Sequence, residues 1–179
     1  RQGREDLGVR NRHIMTAMVT PFGKDGNVDY ELLKKLIDHL LSTGTDGILV
    51  SGTTGEGPTL TEEEKIELIE KTVEYVAGRV PVVAGTGSNK TKATIEYTNK
   101  VAKIDGVDAA LVVVPYYNKP DQAGMIAHFT AVADNVDLPI VMYNIPGRTG
   151  VTMEVKTIAE LSKHQNIIGI KDCTGIVNM

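Results

Sequence analysis

The chain alternates a short apolar run with a helix-patterned stretch five times, then adds a sixth apolar run. The apolar runs fall at 14–20, 47–50, 81–85, 109–114, 139–143 and 167–171. The helix-patterned stretches lie between them, at 30–43, 62–77, 92–104, 123–135 and 154–162. In the first, Leu32, Leu33, Leu36, Ile37, Leu40 and Leu41 recur on one face at helical spacing, and Gly44 supplies a stop. In the second, Ile66, Ile69, Val73 and Val76 do the same, between a capping box at Thr61 and Glu64 and a stop at Gly78. Each unit is roughly 27–35 residues, the size of a strand, a helix and their two connections. The apolar runs do not alternate with polar residues, as expected of strands covered on both faces in a parallel sheet.

Two architectures share this pattern, the doubly wound open sheet and the (β/α)8 TIM barrel. The first strand–helix junction has no G-x-G-x-x-G, which weighs against a dinucleotide fold. Gly85-Thr86-Gly87 lacks the third glycine and reads as a tight turn. The expectation is an α/β protein, a (β/α)8 TIM barrel of which about six strands and five helices are present. Residues 1–13 read as a polar N-terminal extension, and 14–179 as a partial TIM-barrel catalytic domain with no internal linker. The sequence does not start with Met and stops soon after the sixth run, so a longer protein is expected. The other reading is that a second copy covers the gap.

Composition excludes several classes. The net charge of -4 offers nothing to nucleic acid, and with no Trp and two Phe there is no aromatic platform for bases. No apolar run approaches the roughly 20 residues that span a bilayer. Cys173 is the only cysteine, so no intrachain disulfide is possible and a cytoplasmic location is expected. His13, His39, His128 and His164 show no metal-ligand spacing, and no metal site is expected.

The chemistry-bearing residues collect after the apolar runs. Thr53 and Thr54 follow the second, Tyr116 and Tyr117 the fourth, Tyr143 and Arg148 the fifth, and Lys171 closes the sixth. In a barrel the C-terminal strand ends converge on one face, where active sites form. A lysine at the apolar exit of a strand is costly to bury, and desolvation is also what makes an amine nucleophilic towards a carbonyl. A nearby tyrosine serves as acid or base for the proton transfers of Schiff-base formation. The hydroxyl of Thr53 is suited to link two tyrosines. Gly52-Thr53-Thr54-Gly55 offers backbone N–H groups beside hydroxyls, a cradle for a carboxylate. Arg148 is suited to hold a second carboxylate with two parallel hydrogen bonds.

Four segments, in order and spacing, resemble the signatures of the class I pyruvate aldolase superfamily, and within it the dihydrodipicolinate synthases. They are Gly52-Thr53-Thr54-Gly55-Glu56, Pro115-Tyr116-Tyr117-Asn118, Tyr143-Asn144-Ile145-Pro146-Gly147-Arg148-Thr149-Gly150 and Gly169-Ile170-Lys171-Asp172. The resemblance implies a homotetramer in lysine and diaminopimelate synthesis, with pyruvate and L-aspartate 4-semialdehyde as substrates and no metal or organic cofactor. It makes Lys171 the Schiff-base lysine and Tyr143 the proton-transfer tyrosine. Thr53 becomes the bridge to Tyr117, which a neighbouring subunit supplies across a dimer interface. Thr54 and Gly52 would receive the pyruvate carboxylate, and Arg148 that of the semialdehyde.

Arg148 separates the relatives, because the sialic acid lyases of the superfamily usually lack an arginine there. The family's feedback site for lysine carries polar and His residues after the second strand and an acid in the third helix. Here Glu62, Lys65 and Ala93 stand in that region while Asn89 and Tyr116 match, so strong lysine inhibition is not expected. Other pyruvate-dependent aldolases, acting on 2-keto-3-deoxy sugar acids or sialic acid, and a non-catalytic binding protein derived from the barrel are the alternatives.

Overall fold

The structure, a computed structural model, describes residues 14–50, 60–116 and 119–175. The 1–13 stretch lies outside them. The strands are β1 (Met15–Ala17), β2 (Gly47–Val50), β3 (Val82–Gly85), β4 (Ala109–Val113), β5 (Ile140–Asn144) and β6 (Ile167–Asp172). The long helices are α1 (Tyr30–Ser42), α2 (Glu62–Val76), α3 (Thr91–Val101), α4 (Gln122–Asp134) and α6 (Val155–Leu161), with a single helical turn, α5 (Pro146–Thr149), before the last. The six strands are all parallel and stand in the order β1-β2-β3-β4-β5-β6. A doubly wound sheet reverses its strand order at a switch point, and this one does not. Right-handed crossovers without reversal put every helix on the same face, so the sheet curls as a barrel does.

Two hydrophobic clusters mark the two faces. The outer cluster joins Ile48, Val50, Val82, Ala84, Ala110, Val112, Ile140 and Met142 of the strands to helix residues such as Leu33, Ile37, Leu68, Ile69, Val101, Phe129 and Leu161. The inner cluster of Leu49, Val83, Ala109, Leu111 and Tyr143 contains no helix residue. Side chains alternate along a strand, so the register Leu49↔Val83↔Ala109 and Leu111↔Val141 carries one face from strand to strand. The helices lie side by side outside, α1 against α2 and α4 against both α3 and α6.

Local signals account for most boundaries. Asp29 caps α1 by accepting from Leu32 N at 2.9 Å. Thr61 and Glu64 form both halves of the capping box at the start of α2. Gly44 (φ 97°) follows α1 with the positive φ that a helix stop uses. Of the stretch expected as a strand over 14–20, β1 covers Met15–Ala17; among the described residues Met18 N still donates to Leu49 O, and Phe22 bridges to Val28.

Gly85-Thr86-Gly87 is not the tight turn expected from its composition. It runs on in extended form, with Thr86 N donating to Leu111 O at 3.0 Å and Thr98 Oγ1 to Thr86 Oγ1 at 2.8 Å. Glycine serves close approach here: a Cβ on Gly87 would stand 2.5 Å from Val113 N.

His128 of α4 is 5% exposed, with Nδ1 2.8 Å from Thr91 Oγ1 and, among the described residues, no partner for Nε2. Burial lowers its pKa from 6.5 to about 4. Above pH 6.5 the ring is neutral in folded and unfolded chains alike; below it only the unfolded chain takes up the proton, so stability falls as pH falls towards 4. Urea unfolding at stepped pH should show a loss of up to about 3 kcal/mol over this window. A His128→Asn variant should lose that part of the slope, and an unchanged slope would contradict the assignment.

Candidate active site

The β4–β5–β6 register decides which side chains meet. Val113 pairs with Tyr143, and Tyr143 with Lys171. All three therefore stand on the inner face, at the C-terminal ends of adjacent strands. Tyr143 is 4% exposed and packs in the inner cluster. Lys171 is partly buried, and its Nζ lies 4.3 Å from the centroid of the Tyr143 ring. The negative face of the ring holds the cation there, a contact of about 1 kcal/mol at a partly exposed site.

Beyond Tyr143 the chain enters α5. Pro146 at the first position presets the helical φ, and Gly150 (φ 70°) ends the turn. Thr149 is buried, with Oγ1 3.1 Å from Ile145 O and 2.9 Å from Val151 O. Arg148 is thereby carried on a rigid turn with its side chain exposed. No carboxylate of the described residues forms an ion pair with it.

A cavity of about 570 Å³ opens over the ends of β3, β4 and β5. Tyr143, Arg148, Tyr116, Tyr97, Glu62 and Lys65 supply its functional groups, and 85–88 form part of its wall. Lys171 is not among the lining residues; the Tyr143 side chain is common to the cavity and to the Lys171 contact. The charges favour an anion. Glu62 is paired with Lys100 outside the lining, which leaves Lys65 and Arg148 as the cations of the wall. Tyr97 has its hydroxyl buried without a partner among the described residues. Burial, then Glu62, pushes its pKa up to about 12, so it stays a neutral phenol.

Of the residues singled out by sequence, Lys171, Tyr143 and Arg148 share this end of the sheet. Gly52, Thr53, Thr54 and Tyr117 lie outside the described residues. Tyr97, Thr86 and Gly87 were not legible as site residues, because they come from a helix and an apparent turn. Asn144, the polar residue directly after the fifth apolar run, has no role assigned to it by sequence. It is fully buried and bonded to Met153 and Asp172. Among the described residues no group of three or more His, Cys, Asp or Glu is placed to hold a metal ion.

Parallel strands in sequential order, helices outside and polar groups gathered at the C-terminal strand ends define a TIM-barrel protein. A model of the dihydrodipicolinate synthetase family matches residues 10–179, and the chain belongs to that family. It is 66% identical over 173 residues to the 4-hydroxy-tetrahydrodipicolinate synthase of Ligilactobacillus salivarius, which covers 97% of this chain and 60% of that protein. The crystal structure of a dihydrodipicolinate synthase from Bacillus anthracis superposes with a TM-score of 0.89 at 52% identity, over 92% of this chain and 56% of that one. The Acinetobacter baumannii synthase, solved as a complex with pyruvate, gives 0.88 at 47% identity, over 92% of this chain and 56% of that one. The chain thus spans between half and two thirds of the length of these relatives.

Because a Cβ at position 87 would press on the β4 backbone, Gly87→Ala should shift the cavity wall and cost about 1–3 kcal/mol of stability. A thermal unfolding midpoint equal to that of the unaltered chain would show that the wall yields freely.

Proposed function

We propose that this protein condenses pyruvate with L-aspartate 4-semialdehyde through a Schiff base on Lys171, giving 4-hydroxy-tetrahydrodipicolinate in lysine and diaminopimelate synthesis. The observation that carries the reading is the Lys171 ammonium against the Tyr143 ring at the C-terminal strand ends, in a chain of this family. Once Lys171 has given up its proton to solvent, its amine adds to the C2 carbonyl of pyruvate to form a carbinolamine. Loss of water gives an iminium, and loss of a methyl proton gives the enamine. The enamine carbon attacks the aldehyde, whose oxygen takes up a proton. The amine of the former semialdehyde then adds to C2 and displaces the Lys171 amine, which closes the ring and frees the enzyme.

Tyr143 is the acid and base for these transfers, linked through Thr53 to Tyr117. Gly52 and Thr54 receive the pyruvate carboxylate, and Arg148 that of the semialdehyde. The cationic wall and the rigid turn under Arg148 support the last role. On this reading the enzyme is cytoplasmic and needs no metal or organic cofactor. It works as a homotetramer in which Tyr117 crosses a dimer interface, within a catalytic domain that includes 14–179. Feedback by lysine is weak: position 93 is Ala rather than an acid, and Glu62 is already engaged by Lys100.

Borohydride reduction in the presence of pyruvate should add a reduced pyruvyl group to Lys171, located by peptide mass mapping. Modification that persists equally in a Lys171→Ala variant would sink the proposal. Arg148→Ala should keep this trapping and raise KM for the semialdehyde by about 10- to 100-fold, the loss of a charge-assisted hydrogen-bonded pair. Equal damage to both steps, read from trapping rates and steady-state kinetics, would remove Arg148 from its role.

A further inference from the structure

β6 joins β5 through an irregularity. Ile140 pairs with Ile167 but Val141 with Gly169, so Ile168 is one residue too many on the β6 side. Beyond such a bulge the strand has to be held in register by something else. A slip of one residue sends every side chain to the opposite face, and here it would put Ile170 or Asp172 in the place of Lys171.

The hold comes from Asn144, the residue after Tyr143, which is 0% exposed. Its Oδ1 accepts from Met153 N at 3.0 Å, and its Nδ2 donates to Met153 O at 3.2 Å and to Asp172 Oδ1 at 3.0 Å. Its carbonyl accepts from Cys173 N at 2.8 Å. The other carboxylate oxygen of Asp172, Oδ2, accepts from Thr174 Oγ1 at 2.5 Å and from Thr174 N at 3.3 Å. In a register shifted by one, Asn144 would face Lys171, which has no acceptor, or Cys173, which has only a weak one. A buried amide donor would then go unpaired.

We propose that the Asn144–Asp172 hydrogen bond locks the register of β6, and that Asp172 is thereby the positioning residue that presents Lys171 to Tyr143. The first half stands on geometry alone; the catalytic half rests on Lys171 being the Schiff-base lysine. Asp172→Ala removes the acceptor, while Asp172→Asn keeps an amide oxygen for Asn144 Nδ2.

The full chain and both variants are compared by the rate of borohydride trapping with pyruvate at Lys171 and by hydrogen exchange at the Cys173 amide. Asp172→Ala should trap about tenfold more slowly or worse, as expected of a misplaced nucleophile, and should exchange Cys173 faster. Asp172→Asn should restore both to within about twofold. Trapping by Asp172→Ala at the unaltered rate would overturn the positioning role. Slow trapping in both variants would overturn it too, since asparagine keeps the bond. If the unaltered chain fails to trap pyruvate, the functional reading fails, and the exchange comparison still decides the lock.

Discussion

Tyr143 and Lys171 are brought together by the parallel pairing of β5 with β6, in a register where residues 28 apart in sequence become neighbours. The alternation of side chains along a strand does the sorting. Ile140, Met142 and Asn144 point outward into the helix layer, where they are fully or almost fully buried. Tyr143 points inward between them. The outer packing thus fixes the strand, and its inward residues face the concave side of the sheet.

The electrostatics come from the same arrangement. Among the described residues no carboxylate pairs with this cation over its aromatic face, and an iminium on the same nitrogen would keep the positive charge that the ring attracts. The cavity beside Tyr143 carries Arg148 and Lys65, while its carboxylate, Glu62, is turned to Lys100. The two cations of the wall suit an anion, and Thr86, Ser88 and Tyr116 add hydroxyl groups to the same lining. The phenol of Tyr97 adds a neutral donor or acceptor on the helix side.

The fold was largely legible because its signals are local. The capping box at Thr61, the glycine stop at Gly44 and the continuous apolar runs each act within a few residues. The departures have equally local causes. α5 appears because Pro146 seeds a turn inside what reads as a loop. Gly85-Thr86-Gly87 misleads because glycine marks a turn and a close backbone approach with the same letter. Of the site, Lys171, Tyr143 and Arg148 were found from their place after apolar runs. Tyr97 was hidden by a helix that shows no sign in sequence of facing the cavity.

The sequence by itself determined the alternation of strands and helices, their capping, and the placing of polar and charged residues after the apolar runs, since each depends on neighbours along the chain. Only the tertiary structure decided the sequential strand order, the bulge at Ile168 and the tie from Asn144 to Asp172. Those depend on which residues lie across a hydrogen-bonded ladder, and a period-2 pattern is the same in either register until the partner strand is in place. Whether Lys171 faces Tyr143 or the solvent is a difference of one residue in that pairing.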